Sequence, residues 1–223
     1  MHLTALLKKI ESLSTHYGRQ PHSVKLLAVS KKQSVALMKQ AIALGQRRFG
    51  ESYLQEALDK MAALSDYDLE WHFIGAIQSN KTKPIAQHFD WVHSVDRLKI
   101  AERLNEHRPP NAKPLNVLIQ VNISHEASKA GIHENELIAL TQAIQGLPHL
   151  CLRGLMAFPA KTDDFDEQRV AFAKVKTLLD ACNQQGLNLD TLSMGTSNDF
   201  EAAIAEGATL VRLGTTLFGE RKP

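Results

Sequence analysis

The chain has 223 residues, 43% hydrophobic and 22% charged, which is room for one large core and the composition of a water-soluble globular protein. Its formal charge is only +2 and the basic residues are scattered, which argues against a nucleic-acid partner. No apolar run approaches the roughly 20 residues of a membrane span, and neither the ten histidines nor the two cysteines show metal-ligand spacing, so neither a membrane nor a metal is expected.

Leu3, Leu6, Leu7, Ile10 and Leu13 form a helical face rather than the unbroken apolar centre of an export signal, which points to the cytoplasm. Short apolar segments then alternate with amphipathic ones. Strands are predicted at 25–30, 48–50, 70–75, 91–95, 116–123, 151–158, 191–194 and 209–213, each followed by a helical or helix-starting stretch. Eight βα units in this length predict a single (β/α)8 TIM barrel over residues 1–223, with an extra amino-terminal helix. The best helical pattern lies in 163–183, where Val175, Leu178, Leu179 and Cys182 share a face, and 134–145 reads as another helix. Pro109, Pro110 and Pro114 mark a crossing loop; a domain boundary there would leave two half-barrels that cannot close. Cys151 and Cys182 are expected to be reduced core residues.

Lys31 stands where the first strand hands over to a helix, the end of a barrel strand at which chemistry is placed. There a lysine can anchor a phosphate, close a salt bridge or form a Schiff base, and a solvated pair Lys31/Lys32 accounts for the stretch equally well. The turns Met194-Gly195-Thr196-Ser197-Asn198 and Arg212-Leu213-Gly214-Thr215-Thr216 follow strands seven and eight, where barrels commonly build phosphate sites. Capping by Ser197, Asn198 and Asp199 explains one such turn alone; two at matched positions favour phosphate. Gly75 to Thr82 nearly matches a nucleotide-binding glycine loop, and Asp96 ends a matching strand, but Asn80 replaces the second glycine that lets the backbone curl around phosphates.

Six motifs together resemble a known family. They are Ala28-Val29-Ser30-Lys31, Phe49 to Glu56 (FGESYLQE), Trp71 to Gly75 with Gln78-Ser79-Asn80-Lys81, Arg153-Gly154-Leu155-Met156, Ser193 to Ser197, and Val211 to Thr215. The chain resembles, nearly end to end, the pyridoxal-phosphate homeostasis proteins, single-domain barrels similar to the amino-terminal domain of bacterial alanine racemase. The resemblance implies that Lys31 carries pyridoxal 5′-phosphate as a Schiff base, that Ser197, Gly214 and Thr215 hold the phosphate, and that Arg212 faces the pyridine nitrogen. It also implies that Met194 packs near the cofactor and that His72 and Asn80 make second contacts. For Arg212 and His72 a purely structural role, a salt bridge or a satisfied buried histidine, remains an equal reading. Ser52 stands where the family usually has asparagine and Thr196 where it usually has methionine or a similar residue. The shorter Ser52 leaves a contact near the cofactor open.

The implied function is storage, buffering or delivery of pyridoxal phosphate by a monomer, with apo-forms of cofactor-dependent enzymes as recipients. The alternative is a pyridoxal-phosphate-dependent racemase or decarboxylase. Racemases of the related fold take a tyrosine from a second domain, and Tyr17, Tyr53 and Tyr67 are no evident replacement, so a non-catalytic protein is expected.

Overall fold

The computed structural model describes residues 2–124, 126 and 130–219. Helix α1 (Leu3–His16) comes first. Then β1 (Lys25–Val29) leads to α2 (Val35–Ala43), β2 (Arg48–Glu51) to α3 (Leu54–Ala63), and β3 (Glu70–Phe73) through a 3₁₀ turn, Ser79–Lys81, to α4 (Thr82–His88). Strand β4 (Trp91–Val95) leads to α5 (Leu98–His107), and β5 (Leu115–Val121) through a second 3₁₀ turn, Glu134–Glu136, to α6 (Leu137–Gln145). The last units are β6 (Leu150–Ala157) with α7 (Phe165–Gln184), β7 (Thr191–Ser193) with α8 (Phe200–Ala205), and β8 (Leu210–Leu213) with α9 (Thr215–Phe218).

All eight strands are parallel, each pairs with its successor, and β8 returns to β1 with Lys25 opposite Leu210 and Ala28 opposite Leu213. The chain is thus a (β/α)8 barrel. Every predicted strand exists within two residues of its expected bounds. The helix expected from 134 begins instead with a 3₁₀ turn, whose His133 and Glu136 form a capping box that tightens the entry. Helices α2 and α7 start where Ser34 and Asp164 side chains accept backbone N–H bonds from Leu37 and Glu167.

Strand residues alternate between two cores. Leu26, Ala28, Trp71, Phe73, Leu192, Val211 and Leu213 face outward into the large apolar layer under the helices. Leu27, Val29, Ile74 and Leu210 form a separate cluster inside the barrel. The same parity puts His72, Ser193 and Arg212 inside, and His93 joins them; all four are buried. Helix α1 packs against α8 and α9, covering the sector where those helices have only six and four residues. Cys182 is buried as expected, whereas Cys151 occupies an exposed position on β6; both are free thiols.

Candidate ligand-binding site

At the carboxyl ends of the strands a cavity of about 460 Å³ opens, a size suited to a small cofactor. Val29, Lys31 and Ile74 form one side, Thr196, Ser197 and Asn198 another, and Gly214, Thr215 and Thr216 a third, with Phe158 and Arg212 completing the wall. Five of the eight residues singled out in the sequence therefore meet here: Lys31, Ser197, Arg212, Gly214 and Thr215.

Lys31 sits between two pinned neighbours. Behind it, Lys60 donates its three ammonium protons to the Ser30 carbonyl (2.6 Å), Glu51 Oε1 (2.8 Å) and Glu56 Oε1 (2.6 Å). Ser30 Oγ also donates to Glu51 Oε1 at 2.6 Å, and Glu56 Oε1 accepts the Lys32 backbone N–H at 2.5 Å. Burial pushes the Glu51 carboxyl up from its ordinary range, against the opposing pull of Lys60 and Ser30. Lys32 itself turns left-handed at φ 61°, so it points away as an exposed bystander while Lys31 is half-buried. The Lys31 amine donates to Ser52 Oγ at 3.2 Å, so the hydroxyl in place of the family asparagine still reaches it.

The two glycine turns are stitched together. Ser197 Oγ accepts the Thr216 backbone N–H at 3.3 Å, while Thr196 spends both its N–H and its hydroxyl on Asp199 Oδ1. Gly195 has φ 92°, and a Cβ there would lie 2.6 Å from that of Ala203, so only glycine lets the first turn fold onto α8. A Cβ on Gly214 would press the Val29 carbonyl at 3.2 Å on the cavity wall.

Arg212 is 3% exposed. Its Nη1 donates to the Ser193 carbonyl and to Ser193 Oγ (2.8 Å), and its Nη2 to the Ala157 carbonyl at 2.9 Å. The guanidinium lies 4.0 Å over the Phe158 ring. Burial pulls its pKa down to about 10, still charged at neutral pH. Nε, however, has no hydrogen-bond partner among the described residues. A buried donor left in this condition is costly unless a ligand acceptor completes it. An aromatic ring nitrogen is such an acceptor, and the amine of Lys31 together with the hydroxyl-bearing turns matches the aldehyde and phosphate of pyridoxal phosphate. The residues present fit that group.

Three expected contacts fall elsewhere. His72 lies one layer deeper than Ile74 on β3, 1% exposed, and both ring nitrogens are engaged, with Glu70 Oε1 (2.9 Å) and His93 Nε2 (2.8 Å). Met194 follows inward-facing Ser193, so alternation turns it outward into the layer under the helices. Asn80 is exposed on the 3₁₀ turn and does not line the cavity. In that same loop Thr82 is buried and its hydroxyl donates to the Ser79 carbonyl, so the hydroxyl that would serve a phosphate-bound metal in a nucleotide loop is sealed and committed. Among the described residues no group of three or more His, Cys, Asp or Glu side chains is arranged to hold a metal ion.

Sequence reading missed Phe158 and Lys60. Lys60 had a legible signal, since Glu56 precedes it by one helical turn. Phe158 had none, because its role depends on the Arg212 side chain reaching from β8 past β7 to the end of β6.

Comparison with known proteins gives a consistent result. Residues 1–222 match the alanine racemase N-terminal domain family. A pyridoxal phosphate homeostasis protein of Pseudomonas aeruginosa is 58% identical over 213 residues, 96% of this chain and 91% of that protein. The protein of the same name from Haemophilus influenzae is 50% identical over 98% of this chain and 94% of its own length. Among solved structures, PipY of Synechococcus elongatus with PLP bound superposes with a TM-score of 0.83 at 40% identity, covering 94% of this chain and 99% of PipY.

Proposed function

Since the chain belongs to the alanine racemase N-terminal domain family and, within it, to the pyridoxal phosphate homeostasis proteins, we propose that its carboxyl-end cavity binds pyridoxal 5′-phosphate and that the protein stores, buffers or delivers that cofactor. The carrying observation is the buried, unpartnered Nε of Arg212 in a wall shared with Lys31 and the stitched turns. When bound, the cofactor supplies an aldehyde open to amine attack, a ring nitrogen and a phosphate dianion.

Lys31 provides the amine, oriented by Ser52 Oγ and by the anchored residues on either side. The Ser197 and Gly214-Thr215 turns provide phosphate donors, with Gly214 letting the backbone approach. Arg212 offers only donors, so beside the ring nitrogen it keeps that atom unprotonated. An unprotonated ring withdraws electrons poorly, which supports a carrier over a racemase or decarboxylase. So does the lining, where among the described residues Lys31 and Arg212 are the only basic side chains and Arg212 is committed to Ser193 and Ala157, while racemisation needs proton-exchanging groups on two faces. Apo-forms of cofactor-dependent enzymes are the recipients in this reading, and the chain works as a monomer. Among the described residues no helix is long and apolar enough to cross a membrane.

The test mixes cofactor-loaded protein with an apo-enzyme that requires pyridoxal phosphate and follows both partners. Recovery of the enzyme's activity with loss of the carrier's visible band is expected. Retention of the cofactor together with amino-acid racemisation at roughly 1 per second or faster would overturn the carrier reading.

A further inference from the structure

Five side chains form an unbroken chain across the barrel interior. Arg212 Nη1 is 2.8 Å from Ser193 Oγ, Ser193 Oγ 2.9 Å from His93 Nδ1, His93 Nε2 2.8 Å from His72 Nδ1, and His72 Nε2 2.9 Å from Glu70 Oε1. Arg212 forms part of the cavity wall, whereas Glu70 borders a recess at the amino ends of the strands. The links come from β8, β7, β4 and β3, so apart from Glu70 and His72, which share one face of β3, no local sequence feature makes them neighbours.

The Glu70 carboxylate determines every proton in the chain. Arginine only donates, so Ser193 Oγ accepts from it, and its single proton goes to His93 Nδ1 when that nitrogen is bare. A neutral His93 then carries its proton on Nε2 and gives it to His72 Nδ1. Neutral His72 in turn carries its proton on Nε2, facing Glu70, which as a carboxylate only accepts. Donation runs one way from the cation to the anion. A further proton on either imidazole would set two donors against each other, and burial disfavours it by holding both histidines below their ordinary pKa. The other groups acting on His72 are Asp90 and Arg48, with Trp91 stacked on its ring at 5.4 Å; those acting on His93 are Arg212 and the edge of Trp91.

We infer that Glu70, His72, His93 and Ser193 are positioning residues for Arg212, a one-directional hydrogen-bonded relay that holds Ser193 as an acceptor and so leaves Nε as the guanidinium nitrogen available to a cavity ligand. The inference rests on the reading that this ligand is pyridoxal phosphate. A relay differs from ordinary packing in one respect: Glu70, which does not touch His93, sets the tautomer of both imidazoles.

The experiment has two arms. In cofactor-free protein labelled with ¹⁵N-histidine, NMR at neutral pH should show His72 and His93 neutral with the proton on Nε2. That state should survive Ser193→Ala and become mixed in Glu70→Ala. A proton on Nδ1 of either residue in the wild type, mixing in Ser193→Ala, or an unmixed state in Glu70→Ala overturns the relay. In the second arm, Ser193→Ala should weaken pyridoxal phosphate binding about three- to tenfold, the worth of one hydrogen bond, and shift the visible band, with Ser193→Thr restoring both. Wild-type affinity and band in Ser193→Ala overturn the positioning role. If the wild type does not bind the cofactor at all, the functional reading fails, and the first arm still decides whether the relay exists.

Discussion

Lys60 Nζ lies 2.8 Å from Glu51 Oε1 with both side chains sealed from water, at 6% and 0% exposure. The pair joins α3 to β2, and through the Ser30 carbonyl it ties both to the end of β1 just before Lys31. Placement of Lys31 is therefore fixed by a cation and an anion that do not line the cavity.

Removing one member should be far worse than removing both. Lys60→Met strands the Glu51 carboxylate without its cation and is expected to cost about 3–5 kcal/mol in urea unfolding, whereas adding Glu51→Gln should recover much of the loss. A Lys60→Met protein within about 0.5 kcal/mol of wild type would show the pair to be incidental.

Borohydride treatment of cofactor-loaded protein should fix the label on Lys31, and peptide mapping should find none on the exposed Lys32. Lys31→Ala should abolish labelling while leaving the unfolding midpoint near that of wild type, because the half-buried side chain stands on the cavity wall rather than in the packed core. Label on Lys60 or Lys81 would refute the assignment.

Phosphate should dominate affinity. Hydrogen bonds to a charged group contribute about 1.5–3 kcal/mol each, so pyridoxal should bind far more weakly than its phosphate. Ser197→Ala removes a donor and also cuts the Ser197–Thr216 stitch, so combined with Thr215→Val it should lower pyridoxal-phosphate affinity while barely changing that for pyridoxal. Equal affinities for the two compounds in an equilibrium titration would contradict the site.

Acid should destabilise the fold in two stages. His72 and His93 have folded pKa values below the ordinary 6.5, so the unfolded chain takes up protons first; stability is full above that value and falls as pH drops below it. Glu70, hydrogen-bonded to His72, is held down to about 2 from 4.5, so its contribution is present above 4.5 and lost as pH falls through about 2. Glu51, pushed up by burial, acts with the opposite sign. Denaturant titrations from pH 7.5 to 4 should show the first decline, and replacing His72 with glutamine should flatten it; an unchanged slope would exclude His72 as a cause.

Gly195→Ala should destabilise by about 1–3 kcal/mol, since its φ of 92° and the 2.6 Å approach to Ala203 leave no room for a Cβ. Cofactor affinity should fall as well, because the same turn carries Ser197. A variant with wild-type melting temperature would show that α8 shifts freely.

The barrel itself was legible in the sequence. Strands covered on both sides read as short continuous apolar runs, and eight of them at this spacing admit few other closures. Lys31 and the two glycine turns were legible for the same reason, since chemistry at strand ends follows from strand order alone. Periodicity could not assign depth or direction. His72, Asn80 and Met194 sit within motifs that contribute to the site, yet one side chain lies a layer too deep, one is exposed on a turn and one faces outward. When both faces of a strand are apolar, alternation leaves no mark in the residue types, so parity emerges only from the closed sheet. The relay from Glu70 to Arg212 and the anchoring of Lys31 by Lys60 were equally hidden. Their partners come from different strands and helices, and a buried polar side chain acquires its meaning from whichever neighbour barrel closure brings within hydrogen-bonding distance.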